Sequence, residues 1–270
     1  MSLQIRNVNF ETGRPQVAIS LTGKTYEEII QQCEKAVSRP VQVIEWRADF
    51  YLAELDNIEE KLVKTDIYLE MLNILDGIRE IIGEIPLIFT LRTGRQGGCI
   101  ELSNEQIEGI QEFVAESNLV DLVDVEIRGL KKKNGGIGGN LLAARVKKLH
   151  ELGARVILSY HEFDEMIPSK DIVRLVGAMT NYKGDMYKVA AMAHDTDDAK
   201  EMIRATAYLT REKIGPVITM AMGKAGAATR VIGGKYGSVI TFAALDRASA
   251  PGQIEAGRLA EKLDEVYGAK

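Results

Sequence analysis

The sequence predicts an α/β protein whose eight short apolar strands alternate with amphipathic helices and close into a (β/α)8 TIM barrel. Three observations support this fold class: the alternation itself, the length of 270 residues, and the lack of any Pro-, Gly- or Ser-rich linker. Alternating strands and helices favour parallel pairing with right-handed crossovers, and such barrels commonly contain about 250 residues. We therefore expect a single domain over residues 1–270.

The eight candidate strands are short apolar runs, and each is followed by a stretch with apolar residues every three or four positions, as in TYEEIIQQCEKAV. The residues before Val17, broken by Thr12-Gly13, predict a β-hairpin that covers one end of the barrel. The strands are predicted at Val17–Leu21, Val43–Arg47, Leu87–Leu91, Leu122–Glu126, Arg155–Ser159, Met186–Ala190, Val217–Met222 and Ser238–Phe242.

An open doubly wound sheet is the alternative fold. Such a sheet usually has a glycine-rich turn after its first strand, and LTGKTYEE contains neither GxGxxG nor GxxxxGK[ST]. The glycine cluster at 134–140 (NGGIGGN) does not directly follow a strand, so we interpret it as a crossover loop and not as a phosphate site.

Composition restricts the class of function. The net charge of −5 gives no general attraction for nucleic acid or an anionic membrane. We find neither an apolar signal segment at the start nor an apolar run of about 20 residues. With only Cys33 and Cys99, a disulfide framework is not expected, and Cys33 is predicted to be a packing residue. We expect a cytoplasmic protein that binds a small molecule. Since no histidine pair at ligand spacing accompanies the acidic residues, we expect no metal.

Polar residues collect at the ends of the predicted strands, where a barrel builds its site. Ionic groups are costly to bury without a partner, so one at nearly every strand end suggests a function. Each has a plainer explanation if taken alone, such as a lysine snorkelling to water or a methionine filling the core. The residues in question are Glu45, Arg47, Asp49, Arg92, Asp124, Glu126, His161, Lys188, Met220 and Met222. Because side chains alternate along a strand, Glu45, Arg47 and Asp49 are predicted to share one face, and so are Asp124 and Glu126.

A lysine and a histidine facing one centre are enough for a β-elimination. An apolar wall and nearby arginines would favour the neutral amine of Lys188, which can attack a ketone to form an imine. The protonated imine acidifies the adjacent carbon. His161 could remove that proton and then protonate a leaving hydroxyl.

From Val17 to Ile254 the sequence resembles type I 3-dehydroquinate dehydratases. The motifs occur in the family order: ISL, EWRAD, FTLR with GG soon after, DVEI, LSYHEF, YKVAAMA, ITMAMG, a TR after a short loop, and ASAPGQI. The resemblance implies a TIM barrel that removes water from 3-dehydroquinate by syn elimination, giving 3-dehydroshikimate in the third step of the shikimate pathway. It also implies a homodimer and no cofactor.

The resemblance also implies a role for each matching position. Lys188 would form the Schiff base and His161 would be the general acid/base. Arg230 would pair with the substrate carboxylate. The remaining implied substrate-binding residues are Ser20, Glu45, Arg47, Arg92, Met220, Met222, Ser249 and Gln253, the last two on a closing loop.

The sequence departs from the family pattern near the histidine. Gln96 stands where the family usually has a glutamate that orients the catalytic histidine, and Glu162 stands where Asp or Asn is expected. A third departure is the run HEFDEMIPS. Two other hypotheses are a different Schiff-base barrel, such as a class I aldolase or transaldolase, and a non-catalytic barrel that binds a shikimate-like metabolite.

Overall fold

Eight parallel strands in a barrel, surrounded by helices, form the body of the computed structural model, which describes residues 2–55, 66–127, 139–246 and 248–269. A bridge between Val217 and Ser238 brings the last two strands together, with Val239 N donating to Val217 O at 2.9 Å. The predicted (β/α)8 fold is confirmed. The barrel strands are β3 (Gln16–Leu21), β4 (Val43–Arg47), β5 (Leu87–Thr90), β6 (Leu122–Glu126), β7 (Arg155–Glu162), β8 (Met186–Met192), β9 (Val217–Met222) and β10 (Ile240–Ala243).

Helices follow the strands and cover the outside of the barrel. Their starts carry the expected chemistry: the Thr25 side chain accepts from Glu28 N at the first helix, and Ser103 with Gln106 forms a capping box. The helices are α1 (Tyr26–Val37), α2 (Ala48–Leu52), α3 (Asp66–Ile82), α4 (Asn104–Glu116), α5 (Gly139–Glu151), α6 (Ser169–Thr180), α7 (Thr196–Arg211), α8 (Gly223–Gly226), α9 (Thr229–Tyr236) and α10 (Ala256–Tyr267).

The predicted N-terminal hairpin exists, but its turn is not where the sequence analysis put it. Strands β1 (Leu3–Ile5) and β2 (Val8–Phe10) pair antiparallel, so the chain reverses at residues 6–7 and not at Thr12-Gly13. Arg6 adopts the left-handed conformation with φ 48°. The hairpin lays its apolar side chains against the barrel interior, where Ile5 and Phe10 are buried. It therefore closes the amino-terminal end of the barrel.

Alternate side chains of the strands divide the core in two. The outward-facing residues pack against the helices, and Trp46 on β4 lies there against Phe89 and Tyr51. Cys33 of α1 is fully buried in the same layer, as predicted. With Trp46 facing outward, Glu45 and Arg47 face the barrel interior.

The described helices include none with the length and apolar character needed to cross a membrane. The predicted crossover loop at 134–140 lies mostly outside the described residues: 134–138 belong to the part left undescribed, and Gly139 begins α5.

Candidate active site

A cavity lies at the carboxyl ends of the barrel strands. Every residue that the sequence analysis proposed as catalytic, substrate-binding or histidine-orienting lines it. These residues are Ser20, Glu45, Arg47, Arg92, Gln96, His161, Lys188, Met220, Met222, Arg230, Ser249 and Gln253. The lining also includes Gly97, Phe163, Ala190, Phe242 and Ala250.

Lys188 projects from β8 into the barrel and is only 4% exposed. Its Nζ lies 3.4 Å from Asp124 Oδ2 and 3.6 Å from Glu45 Oε1. The Phe242 ring centroid is 4.4 Å from the same nitrogen. The sequence analysis expected an apolar wall and arginines around this amine. The aromatic wall is present, but two carboxylates lie within 4 Å.

Glu45, Asp124, Lys188 and Phe242 form one layer of the barrel interior. They come from β4, β6, β8 and β10, which are every second strand. Alternate strands supply each interior layer in (β/α)8 barrels, because neighbouring strands are offset along the barrel axis. The layer therefore sets two acids and one aromatic ring around the amine.

Glu45 is nearly fully buried and hydrogen-bonded through both oxygens. Ser20 Oγ donates to Oε2 at 2.5 Å and Thr90 Oγ1 donates to Oε1 at 2.8 Å. Burial raises the pKa of Glu45, but the charges of Lys188 and Arg47 outweigh it and hold the pKa below its usual value. Glu45 is therefore ionised at neutral pH.

Asp124 is 1% exposed and is held by neighbours on both of its oxygens. Ser159 Oγ donates to Oδ1 at 2.5 Å, and Arg92 Nη2 donates to Oδ2 at 2.9 Å. Burial raises the pKa of Asp124, but Arg92 and Lys188 hold it below its usual value. Arg92 also donates to Glu126 at 2.9 Å. The Arg92 guanidinium is thus neutralised by two acids of one strand.

Arg47 is fixed by Asp49, whose side chain is completely buried. Arg47 Nε and Nη2 donate to the two Asp49 oxygens at 2.7 and 2.8 Å. The predicted placement of Asp49 on the same strand face as Glu45 and Arg47 is wrong. The strand β4 ends at Arg47, and Asp49 lies in α2, from which it folds back onto the arginine.

His161 contacts Gln96 through both its backbone and its ring. Gln96 Oε1 accepts from His161 N at 2.9 Å and lies 3.3 Å from Nδ1. Gln96 Nε2 donates to Ile127 O at 2.9 Å, so the amide oxygen must face the histidine. Because that oxygen only accepts, Nδ1 carries the proton of the neutral ring and Nε2 is left as a base. Desolvation by the surrounding protein, reinforced by Arg92 and Lys188, lowers the pKa of His161 well below its usual value.

Arg230, on α9, is 2% exposed and faces the cavity without an acidic partner among the described residues. Its Nη2 donates to Pro251 O at 3.0 Å, and its Nη1 lies 3.4 Å from Phe242 O. Its buried Nε has no hydrogen-bond partner. Burial lowers the pKa of Arg230 to about 10, which still leaves it charged at neutral pH. This group suits a carboxylate, because a buried cation gains most from an anion.

The segment 248–253 covers part of the cavity and is tied to the barrel by hydrogen bonds. Ser249 N donates to Gln253 Oε1 at 2.8 Å, and Gln253 Nε2 donates to Ser249 Oγ at 2.9 Å. Gly223 N donates to Pro251 O at 3.2 Å. Gly252 has φ 79°, and a Cβ there would lie 2.3 Å from Gly223 O. Glycine is therefore required for this close approach.

Glu162, the second departure from the family pattern, stays away from the histidine ring. Tyr160 OH donates to its Oε2 at 3.3 Å, and Asp164 N donates to its Oε1 at 3.3 Å. Throughout the ranges that the structure describes, no three His, Cys, Asp or Glu side chains form a group suited to a metal ion.

Sequence reasoning missed two neighbours of the lysine. It noted that Asp124 and Glu126 share one face of their strand but gave Asp124 no part in the site. It overlooked Phe242 altogether. The interior-layer rule is the signal that points to both, because each lies on a strand that alternates with the lysine strand.

The fold and this site define a (β/α)8-barrel enzyme built around a buried lysine. The model of one family, described as Type I 3-dehydroquinase, matches residues 17–270. The chain belongs to the type I 3-dehydroquinase family.

Named relatives agree with this assignment along the whole chain. A 3-dehydroquinate dehydratase from Klebsiella pneumoniae is 31% identical over 97% of this chain and 98% of its own length. One from Listeria innocua is 30% identical over 97% of both chains. The crystal structure of the Geobacillus kaustophilus 3-dehydroquinate dehydratase superposes with a TM-score of 0.86 at 29% identity, covering 98% of this chain and 96% of the other. A Clostridium difficile type I enzyme, solved with covalently modified comenic acid, gives 0.85 at 28% identity over 99% and 98%.

Proposed function

We propose that this chain is a 3-dehydroquinate dehydratase, a hydro-lyase that converts 3-dehydroquinate into 3-dehydroshikimate and water in the shikimate pathway. The observation that carries the proposal is one cavity that holds a buried lysine, a histidine of lowered pKa and an arginine to which no described acidic residue is paired. Membership of the type I 3-dehydroquinase family supports the choice of substrate.

Lys188 is the nucleophile in this proposal. Its neutral amine attacks the ketone carbon of the substrate, and loss of the carbonyl oxygen as water leaves a protonated imine. Asp124 and Glu45, both within 4 Å of Nζ, offset the positive charge of that imine. The cationic imine withdraws electrons from the adjacent carbon, so a proton on that carbon becomes acidic.

His161 is the general acid/base. Its Nε2 accepts the proton from the carbon beside the imine, which leaves an enamine. The enamine then expels the β-hydroxyl, and the same imidazolium protonates it so that water leaves. Gln96 supports this role by fixing which ring nitrogen carries the resting proton. Hydrolysis of the new imine releases the product and restores the lysine.

Arg230 binds the substrate carboxylate, and this assignment rests on its burial without an acidic partner among the described residues. Met220 and Met222 pack on the substrate ring. The hydroxyl-binding groups are Ser20, Glu45, Arg47, Arg92, Ser249 and Gln253, all of which line the cavity.

Reductive trapping tests the mechanism. Borohydride added during turnover should reduce the imine and attach the carbon skeleton of the ligand irreversibly to Lys188, as read by peptide mass spectrometry. Lys188→Ala should show no adduct and should lower turnover by several orders of magnitude, because no other amine replaces it. With 3-dehydroquinate as substrate, a rise in absorbance from the enone product would show dehydration, a reaction that distinguishes this function from that of an aldolase. Turnover in Lys188→Ala close to the wild-type rate would contradict the mechanism.

We also propose that the protein works without a cofactor, as a cytoplasmic homodimer. The described chemistry uses only side chains of the chain. The two cysteines are free, with Cys33 buried in the core, which fits a reducing compartment. The dimer rests on the family resemblance alone, and sedimentation equilibrium tests it.

A further inference from the structure

Asp124 is a buried carboxylate for which the proposed reaction has no assigned role beyond its charge. It is only 1% exposed and, unlike Glu45 and Lys188 of the same layer, it does not line the cavity, so we expect no direct contact with a substrate. Yet its Oδ2 lies 3.4 Å from Lys188 Nζ, the atom that forms the imine. Asp124 therefore acts on the reaction through its neighbours, of which Lys188 is the one that bonds to the substrate.

We infer that Asp124 is the positioning residue of Lys188, accepting an N–H of the amine and, after condensation, the N–H of the protonated imine. An ionised carboxylate only accepts hydrogen bonds, so an amine N–H must point toward it and the lone pair is directed elsewhere. In the imine the single remaining N–H keeps the same partner, which sets the orientation of the C=N bond in the cavity. This inference rests on the proposed function.

Contact with the cavity distinguishes Asp124 from Glu45, the other acid near Lys188, because both oxygens of Glu45 also accept hydrogen bonds. Glu45 lines the cavity and is accessible to substrate groups. Asp124 is held by Ser159 from β7 at 2.5 Å and by Arg92, beyond β5, at 2.9 Å. Because both oxygens of Asp124 accept hydrogen bonds, one of them from a charged guanidinium, we expect Asp124 to keep its orientation when a ligand enters. Glu45 adds negative charge to the site, whereas Asp124 provides a fixed direction.

The sign of the effect follows from the charges around the imine. An anion beside a cationic nitrogen favours its protonated form, so removing the anion reduces the protonated fraction at any given pH. In the pH profile of iminium formation, the alkaline limb should therefore lie at lower pH for a variant with a neutral residue 124 than for the wild type. The charged and titratable groups that surround the lysine are Glu45, Arg47, Arg92, Asp124, His161 and Arg230.

The test compares Asp124→Asn with Glu126→Gln as a matched control. Both substitutions remove one carboxylate that binds Arg92 at 2.9 Å, and both lie on β6, but only Asp124 contacts Lys188. Cyanoborohydride, which reduces cationic iminium far faster than neutral imine, reports the protonated species. Borohydride reduces both forms. In each case hydride adds to the imine carbon and leaves a secondary amine on Lys188.

With 3-dehydroquinate present, Asp124→Asn should show slower cyanoborohydride trapping, with an alkaline limb about one to three pH units lower than in the wild type. Borohydride should still give the full adduct. Glu126→Gln should keep the wild-type limb. Superimposable cyanoborohydride profiles for the wild type and Asp124→Asn would overturn the inference.

Ser159→Ala provides a second test if Asp124→Asn does not fold. It keeps every charge and removes a hydroxyl that donates to Asp124 Oδ1 and accepts from Arg92 Nη1 at 3.1 Å. The alkaline limb of cyanoborohydride trapping should again move to lower pH, by a smaller amount than in Asp124→Asn. An unchanged limb would count against the positioning role. Wild-type protein that gains no adduct with either reagent would contradict the imine itself, and hence the proposed function. These outcomes therefore distinguish failure of the positioning role from failure of the proposed function.

Discussion

Replacing Gln96 by glutamate should raise the pKa of His161 and move the acidic limb of kcat/KM to higher pH. In the wild type, desolvation and the charges of Arg92 and Lys188 hold the pKa of His161 well below 6.5. The neighbouring amide offers only a dipole. A carboxylate in its place would favour the imidazolium. The base must be neutral to accept a proton, so a higher pKa leaves less active enzyme at acidic pH.

The magnitude follows from the distance of 3.3 Å between His161 Nδ1 and Gln96 Oε1. Opposite unit charges at that distance attract by about 1.3 kcal/mol in bulk water and by about 5 kcal/mol at an effective dielectric constant of about 20. One pKa unit corresponds to about 1.4 kcal/mol. A carboxylate at position 96 would also face the Ile127 carbonyl, to which it cannot donate. This unfavourable contact weakens the ionised form, so we expect a rise of about one to two units.

The assay is kcat/KM against pH for the wild type and Gln96→Glu at constant ionic strength. Glu162→Gln is the control, because it changes a charge next to His161 in sequence, but one that binds Tyr160 and not the histidine ring. Its acidic limb should match that of the wild type. If the Gln96→Glu profile also superimposes on the wild type while borohydride still traps Lys188, the argument that residue 96 controls the protonation of His161 is refuted.

Two further predictions concern the anion site and the segment that covers it. Arg230→Met should raise KM by about tenfold to a hundredfold, since a hydrogen bond to a charged group contributes about 1.5–3 kcal/mol. The melting temperature of the free protein should hold or rise, because the variant loses a buried charge that has no acidic partner in the part of the chain that the structure describes. An unchanged KM in steady-state kinetics would place the carboxylate elsewhere. The amides of 248–253 should exchange hydrogen more slowly with bound product than without it. This slowing should diminish in Arg230→Met, because Pro251 O loses the Arg230 donor and keeps only Gly223 N. Equal exchange with and without product would contradict a closing segment.

The strands were predictable because a strand buried on both faces is a short apolar run with polar ends. Their exact ends were less so. β7 continues to Glu162, since its polar end residues find partners of their own and pairing with β8 persists beyond the apolar run. The hairpin turn was misplaced because the sequence analysis weighted glycine at Thr12-Gly13. The apolar alternation of Leu3, Ile5, Val8 and Phe10, all facing the interior, was the stronger signal.

The lining of the cavity was predictable as a set of residue types at strand ends, but not as a network. The contact between Asp124 and Lys188 depends on how far the barrel offsets its strands, and strand patterns do not report this offset. The orientation of Gln96 depends on the Ile127 carbonyl, a backbone group that carries no residue-type signal. Likewise, the isolation of Arg230 from acids among the described residues is a property of packing.

The hairpin closes the amino-terminal end of the barrel, beneath the catalytic cavity. Interior side chains, Ile5 and Phe10 among them, fill the barrel beneath the site, and the described lining of the cavity includes Ser249, Ala250 and Gln253 of the covering segment. Substrate and product must therefore both pass through the carboxyl-terminal end of the barrel. A product molecule that still occupies the cavity excludes the next substrate, so product and substrate compete for the free enzyme.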